Sequence, residues 1–329
     1  MKAFLKSILL FTLPLLLMPV MIYEVDPFGI FREDFSQQVI EPNQRFAKMK
    51  WLSEEKRDFD SFIFGSSKVG NIDSRKMLGG KYYNMTYSMG LPYEWMEDMK
   101  QLANTGYDIK NIVICLDEFS YTRTHDQNSS FLRKPYAESW AKRTEFQAKY
   151  LLRMPNFSVL KKAWYPINKD KPFLVRYDIQ ETGIPFKTER ESYVEENMDL
   201  HLTDWKFDID WPLKLPRMEE SLYAIKEIKQ FCEEQGIELQ VVYLPVYHKK
   251  LADVKTNKFE EHKSKVAEIT DYWDFSEVRP IIDERQYWFE QVHFRAKVGD
   301  MIVGKLNGAS ELADFGKFVV RKDRNLAGS

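Results

Sequence analysis

The sequence predicts a doubly wound α/β fold built on a parallel sheet. Short apolar runs alternate with longer segments of helical periodicity, and this alternation is typical of successive βαβ units. The run at 111–116 (Asn-Ile-Val-Ile-Cys-Leu) is almost wholly apolar, as central strands of parallel sheets are because both of their faces are buried. The segment 92–106 begins with proline and ends with glycine, which favour the start and the end of a helix.

The other elements follow from the same signals. The run 60–65 (Asp-Ser-Phe-Ile-Phe-Gly) ends in glycine, which indicates a buried strand that enters a tight turn. Further strands are predicted at 81–85, 111–116, 238–244 and 272–275. Helices are predicted at 41–56, 92–106, 221–235 and 295–306.

Composition and charge exclude several classes of protein. The chain has 329 residues, with 48 Lys and Arg against 50 Asp and Glu, so its formal net charge is −2. Without a basic excess it has little electrostatic affinity for a phosphate backbone, and we expect no nucleic-acid partner. Its two cysteines, Cys115 and Cys232, are too few for a disulfide scaffold or a four-cysteine zinc site. We expect no metal and no cofactor.

An apolar N-terminus with a positive flank predicts a membrane anchor. Lys2 and Lys6 precede the uncharged run 7–23, which approaches the roughly 20 residues that a membrane-spanning helix needs. Signal peptidase cuts after small residues, but residues 15–28 contain no Ala, Ser or Gly. We therefore predict an uncleaved, single-pass anchor in the inner or cytoplasmic membrane, with a long signal sequence as the alternative. The positive-inside rule places the rest of the chain outside, in the periplasm or the extracellular space.

The strand–helix alternation lapses between residues 119 and 217, which predicts a large insertion in one α/β domain. The predicted organisation is an anchor or uncleaved signal at 1–23, a linker and lead-in helix at 24–59, an α/β domain at 60–118 and 218–329, and an inserted cap at 119–217. A structureless loop of that length is unusual, so we expect folded pieces such as a helix at 136–152. Caps of this kind lie over the carboxyl ends of the strands, where ligands bind.

A pair of serines directly follows the first predicted strand. The sequence Gly65-Ser66-Ser67 places a hydroxyl at the rim of the crevice beyond the strand end, where a serine can act as a nucleophile if a base reaches it. Serine is also a common capping residue. Capping of the next helix by Ser66 or Ser67 is therefore the alternative.

A glutamate and a histidine lie shortly before the last predicted helix, at Glu290 and His293. A carboxylate three residues before a histidine can accept the Nδ1 hydrogen and leave Nε2 free as a general base. The alternative is a partly buried histidine beside a surface glutamate. The combination of this motif with the serine pair favours the catalytic interpretation.

The two motifs together resemble those of the SGNH (GDSL-type) hydrolase superfamily. In that superfamily a Gly-Asp-Ser follows the first strand, a glycine lies in the loop after the second, an asparagine follows the third, and Asp-x-x-His lies near the C-terminus. The segment 65–67 matches the first motif with Ser66 at the aspartate position, and the segment 84–90 (Asn-Met-Thr-Tyr-Ser-Met-Gly) matches the second. The resemblance implies a flavodoxin-like sheet. It also implies Ser67 as nucleophile, His293 as base, Glu290 as the carboxylate that orients it, and the N–H groups of Ser67 and Gly90 as oxyanion donors.

Two motifs depart from the superfamily pattern. The third strand is followed by Asp117 and Glu118 rather than asparagine, and Glu290 stands where aspartate is usual. The missing asparagine removes one expected oxyanion donor. A glutamate can still orient the histidine through a longer arm, as it does in other esterases.

The anchor, the Asp-Pro-Phe-Gly sequence at 26–29 and the large insertion resemble a narrower branch of membrane-anchored cell-envelope acylation proteins. That branch includes the D-alanyl-lipoteichoic acid transfer protein and the alginate O-acetylation proteins. This resemblance implies transfer of an O-acyl group, above all acetyl, to a cell-envelope or exported polysaccharide, in partnership with a membrane-bound O-acyltransferase. A non-catalytic glycan-binding or scaffold subunit and a glycan acetylesterase are the alternatives.

Several other side chains are candidates for substrate binding. Asp117 and Glu118 lie at a strand end, where they could bind substrate hydroxyls or simply cap backbone N–H groups. Aromatic side chains of the insertion could supply flat faces for a glycan or form the insertion's own core. They are Trp140, Trp164, Trp205 and Trp211. The acidic residues and the histidine at 201–210 match no metal-binding spacing and indicate a solvated acidic turn.

Overall fold

The computed structural model of the chain describes residue 12 and residues 17–35, 40–54, 56–122, 131–153, 175–209, 216–251, 258–277 and 280–322. In this part of the chain six strands form the main sheet. They are β1 (Ser61–Gly65), β2 (Tyr82–Asn84), β3 (Asn111–Leu116), β6 (Glu238–Tyr243), β7 (Tyr272–Asp274) and β8 (Lys317–Val319). Two short strands, β4 (Arg176–Tyr177) and β5 (Pro185–Phe186), form a separate antiparallel pair.

The main sheet is mostly parallel. Its order is β2-β1-β3-β6-β7-β8, and only the edge strand β8 pairs antiparallel with its neighbour. The first five strands follow the 2-1-3-4-5 order of flavodoxin-like sheets, in which ligands bind beyond the carboxyl ends of the strands. The predicted α/β fold with a mostly parallel sheet is therefore confirmed.

Besides the helical residues 17–25 and 248–251, nine helices of the described ranges connect and cover these strands. They are α1 (Gln44–Glu54), α2 (Pro92–Asn104), α3 (Trp140–Leu151), α4 (Thr188–Glu196), α5 (Met198–Leu202), α6 (Met218–Gln235), α7 (Phe259–Ile269), α8 (Pro280–Asp283) and α9 (Ala296–Leu306). Short 3₁₀ turns supplement them, among them the turn Ser67–Asn71 directly after β1.

Alternate residues of the strands enter two hydrophobic layers, because side chains on a strand point to opposite faces. On β3, Ile112 and Ile114 pack into the layer that contains α1, α2, α6 and α7, whereas Val113 and Cys115 pack into the layer under α9. Helices therefore cover both faces of the sheet. This arrangement explains why the run 111–116 is apolar on both sides.

Helix α7 and strand β8 of the main domain were not among the predicted elements. Helix α7 has apolar residues at helical spacing, but the many Lys and Glu residues between them hide this pattern in the sequence. Strand β8 has only three residues and begins with Lys317, so it lacks the apolar run by which a strand is recognised. It adds an antiparallel edge to the sheet.

The described chain contains no helix with the length and apolar character needed to cross a membrane. Residues 17–25 are helical, whereas residues 1–11 and 13–16 of the predicted anchor lie outside the described residues. The domain boundaries at 23, 59, 119 and 217 stay predictions. Within the predicted insertion, the expected helix is present as α3, and its Tyr150 hydroxyl donates to Asp26 Oδ1 at 3.0 Å.

Candidate active site

Ser67 lies at the carboxyl edge of the sheet because β1 ends in a tight turn. Strand β1 ends at Gly65, where a Cβ would lie 2.2 Å from a methyl carbon of Val69, so only glycine lets the 3₁₀ turn fold back this closely. Ser66 is the N-cap of that turn, and its Oγ accepts from the Lys68 N–H at 3.4 Å. The predicted capping role therefore belongs to Ser66, and Ser67 opens the turn.

Ser66 is held beneath the site by Asp117. The two strands pair in register with Gly65 opposite Cys115, so the residues that follow them lie side by side. The Ser66 hydroxyl donates to the Asp117 carboxylate. Asp117 also accepts from the Phe119 N–H at 2.9 Å. The Ser66 hydroxyl thus points toward Asp117, into the protein. The half-buried Ser67 has its hydroxyl on the opposite side, toward His293.

Ser67 Oγ lies 2.8 Å from His293 Nε2. The other ring nitrogen, Nδ1, contacts the Glu290 carboxylate. Because an ionised carboxylate only accepts, Nδ1 carries the hydrogen and Nε2 is left to accept the Ser67 proton. Glu290 is fixed in turn by the N–H groups of Val292 at 2.9 Å and His293 at 3.2 Å. The structure thus brings together all three residues predicted as nucleophile, base and orienting carboxylate.

Burial and neighbouring charges tune the two titratable groups. Burial alone would raise the pKa of Glu290, but hydrogen bonds from His293 and Val292 and the charge of Arg190 lower that pKa to about 2. Burial lowers the pKa of His293 below its ordinary value, and Lys187 and Arg190 lower it further against the opposing pull of Glu290. His293 is therefore neutral at pH 7, as a general base must be.

The three residues line a cavity of about 530 Å³. This volume lies in the usual range for ligand pockets, about 300 to 1,000 Å³. The cavity wall also includes Phe119, Arg190 and Trp205. Arg190 stacks on the Phe289 ring at 4.2 Å. Arg190 was not predicted, because a lone arginine in a charged helix has no recognisable motif.

The predicted aromatic residues fall in different places. Trp205 lines the cavity with 69% of its surface exposed. Trp140 is 72% exposed at the start of α3 and is not among the described residues that line the cavity. The prediction that Trp140 binds a substrate at this site is therefore not supported by its position. Trp164 and Trp211 lie outside the described residues.

Asp117 and Glu118 require a correction. They were predicted near the crevice as ligands for substrate hydroxyls, but they are 0% and 1% exposed. Asp117 caps backbone N–H groups and binds Ser66, which is the structural alternative. Glu118 forms a buried ion pair with Lys68, with Nζ to Oε2 at 2.6 Å. Both side chains point beneath the site because their polar partners lie there, so neither is available to a substrate.

Gly90 also requires a correction. Its N–H was predicted as an oxyanion donor, but it donates to the Tyr87 carbonyl at 3.2 Å and closes a turn. Gly90 is buried and is not among the described residues that line the cavity. The Ser67 N–H, by contrast, has no hydrogen-bond partner in the described chain. The geometry therefore leaves Ser67 as a donor and assigns Gly90 to the turn.

The histidine and the acidic residues at 201–209 pair with protein groups rather than forming a metal site. His201 Nε2 lies 2.8 Å from the Trp288 carbonyl, and Asp208 pairs with Arg285 at 2.9 Å. Asp204 caps the turn at Lys206, and Asp210 lies outside the described residues. Across the described ranges no three His, Cys, Asp or Glu side chains are placed to hold a metal ion together.

No protein-family model matches the chain, and no curated protein sequence matches it.

Proposed function

We propose that this protein is a serine-dependent acyltransferase that carries an acyl group on Ser67. The observation that supports this most directly is the 2.8 Å contact between Ser67 Oγ and His293 Nε2, with Nδ1 directed at Glu290. A serine, a histidine and a carboxylate in this order activate a hydroxyl for attack on a carbonyl carbon. The cavity in front of them gives a substrate access to the hydroxyl.

The first half of the reaction forms the acyl-enzyme. His293 Nε2 takes the proton of Ser67 as Oγ bonds to the carbonyl carbon of an ester or thioester donor. The Ser67 N–H stabilises the resulting oxyanion. When the tetrahedral intermediate collapses, the bond to the donor alcohol or thiol breaks, and the leaving group takes the proton from His293.

The second half transfers the acyl group. A hydroxyl of the acceptor gives its proton to His293 Nε2, and its oxygen attacks the ester carbonyl on Ser67. The bond from the acyl carbon to Oγ then breaks, and Oγ recovers the proton. A water molecule in place of the acceptor gives hydrolysis, so the two activities differ only in which hydroxyl enters the cavity.

The protein belongs, in this proposal, to the SGNH superfamily and to its membrane-anchored cell-envelope branch. The flavodoxin-like strand order and the position of Ser67 after the first strand support the superfamily. The charged and apolar N-terminus supports an extracytoplasmic domain. Acetyl is the expected acyl group, a cell-envelope or exported polysaccharide is the acceptor, and a membrane-bound O-acyltransferase supplies the donor. Trp205, exposed at the cavity, offers a sugar-stacking face.

A transfer assay tests this function. The full-length chain in detergent is incubated with p-nitrophenyl acetate and a cello-oligosaccharide, and acetylated oligosaccharide is measured by mass spectrometry. We expect product from the unmodified chain and a loss of at least about 10³-fold in Ser67→Ala and His293→Ala. The matched controls are Ser192→Ala and His248→Ala, which change the same residue types outside the cavity.

The same assay separates the alternatives. Release of acetate without acetylated sugar, dependent on Ser67, identifies an esterase. Equal yields from the unmodified chain and Ser67→Ala contradict catalysis by this site and favour a scaffold.

A further inference from the structure

A strained turn lies beside Ser67 at the cavity wall. Residues 87–90 form a turn closed by the Gly90 N–H on the Tyr87 carbonyl. Its third residue, Met89, has φ +57°, as the third residue of a type II turn has. The left-handed conformation costs a side-chain-bearing residue roughly 1–2 kcal/mol, so other contacts must hold it. Such strain is often found at functional sites.

Arg133 supplies those contacts. Arg133 is 5% exposed, and its guanidinium donates to the Ser88 carbonyl at 3.1 Å and to the Met89 carbonyl. The same guanidinium pairs with Glu94. Glu94 caps α2 by accepting from the Leu91 N–H at 3.1 Å. The turn is thus attached to the start of α2 through a buried ion pair.

The direction of one peptide group follows from these bonds. The Ser88 carbonyl points to Arg133, and in a trans peptide the N–H points opposite to the carbonyl. The Met89 N–H therefore points away from Arg133. Ser88 and Met89 line the same cavity as Ser67, and within the described residues the Met89 N–H has no hydrogen-bond partner.

The turn is also fixed relative to the nucleophile. The Thr86 hydroxyl donates to the Ser66 carbonyl, which joins the residue before the turn to the residue before Ser67. Asn84 Nδ2 donates to the Val69 carbonyl at 3.0 Å and so ties the end of β2 to the 3₁₀ turn. The Ser67 and Met89 N–H groups therefore belong to two segments that are bonded to each other.

We infer that the Met89 N–H is the second oxyanion donor, with Arg133 as its positioning residue. This inference rests on the proposed acyl transfer. The Arg133 guanidinium donates to the Ser88 carbonyl and polarises this peptide group. The Met89 N–H, which belongs to the same peptide group, therefore becomes a stronger hydrogen-bond donor. The assignment accounts for the strain at Met89, the burial of Arg133 and the engagement of the Gly90 N–H elsewhere.

Two backbone esters test the assignment. The α-hydroxy analogue of methionine at position 89 replaces the N–H of that residue by oxygen, and glycolic acid at position 90 does the same for Gly90. Each ester also weakens one carbonyl acceptor of Arg133, so the two proteins are matched except for the N–H removed. The readout is the rate at which a fluorophosphonate labels Ser67 in the full-length chain. Attack of Ser67 Oγ on phosphorus places negative charge on the phosphoryl oxygen of the reagent, where an oxyanion donor would stabilise it.

We expect the ester at position 89 to slow labelling by about 10²–10³-fold, the usual loss for one oxyanion donor. The ester at position 90 should change the rate by only about 3-fold, as expected for a group outside the oxyanion site. Equal rates for the two esters, in a chain whose unmodified form is labelled, overturn the inference and leave the proposed function intact. Absence of labelling in the unmodified chain overturns both.

Arg133 is tested separately, because its loss can also unfold the turn. Arg133→Lys keeps a cation but cannot donate to the Ser88 and Met89 carbonyls in the same geometry. We expect kcat for p-nitrophenyl acetate to fall by about 10-fold or more while KM changes little, because the oxyanion contact is made mainly in the transition state. A rise in KM alone for Arg133→Lys contradicts a positioning role.

Discussion

Ser67 Oγ and His293 Nε2 lie 2.8 Å apart although 226 residues separate them in the chain. The contact depends on close packing of α9 against the 3₁₀ turn that Ser67 opens. A Cβ on Gly299 of α9 would lie 1.9 Å from the Asn71 carbonyl oxygen of that turn. His293 lies three residues before the start of α9 at Ala296, so the position of this helix sets the distance between nucleophile and base.

This packing predicts that Gly299→Ala damages the site from a distance. The new methyl group meets backbone, which cannot move aside, so we expect a loss of about 1–3 kcal/mol in the free energy of unfolding. Labelling of Ser67 by a fluorophosphonate should slow as well. Gly304→Ala on the same helix is the control, because its Cβ would lie within 3.4 Å only of the end of the Leu312 side chain, which can move, and would touch no backbone. Urea unfolding and labelling rates check both variants, and equal behaviour contradicts the account.

Glu290→Gln should leave the fold intact and remove most activity. The amide can donate to Nδ1, which favours the tautomer that carries its hydrogen on Nε2 and cannot accept from Ser67. We expect kcat to fall by about 10²–10⁴-fold. Glu290→Asp retains the charge with a shorter arm and should lose less. Steady-state kinetics on p-nitrophenyl acetate measure both, and a fully active Gln variant contradicts the assigned role.

The acylation rate should depend on the protonation of His293. Burial lowers the pKa of this residue below its ordinary value near 6.5, with Lys187 and Arg190 acting in the same direction and Glu290 against them. The neutral form is the base, so the rate falls as pH decreases through that lowered pKa. Labelling rates between pH 4 and 8, corrected for the Ser67→Ala background, should reach half of their maximum below pH 6.5. A midpoint above pH 7 contradicts the account.

Loss of one partner of the buried pair Lys68–Glu118 should lower the free energy of unfolding strongly, whereas replacement of both by apolar residues should lower it little. Their side chains are 0% and 1% exposed, and Lys68→Met leaves the Glu118 carboxylate without its partner. We expect a loss of about 3–5 kcal/mol in the free energy of unfolding, and recovery of most of it in the double variant Lys68→Met with Glu118→Leu. Urea unfolding measures both. A double variant no more stable than Lys68→Met alone would show that the pair is needed for packing.

Much of the sheet could be predicted from the sequence, because burial on both faces leaves a strong local signal. The strand predicted at 111–116 has the bounds of β3. The pairing of Ser67 with His293 was predicted from the two motifs taken together and from their resemblance to the SGNH superfamily, and the rules of parallel sheets place the residue that follows β1 at the ligand-binding edge.

The rest of the site depends on tertiary contacts that leave no local pattern. Position at a strand end did not reveal that Asp117 and Glu118 point beneath the cavity, because that depends on Ser66 and Lys68. Nor did the sequence single out Arg133, whose partners Ser88 and Glu94 lie about 40 residues away along the chain.

Activation of Ser67 is tested most directly by the intact mass of the full-length chain after exposure to a fluorophosphonate. We expect a single adduct on the unmodified protein, mapped to Ser67 by peptide analysis, and none on Ser67→Ala or His293→Ala. Thermal unfolding should show that both variants remain folded. A folded, unmodified chain that takes no adduct, or an adduct that survives in Ser67→Ala, would contradict an activated serine at this site.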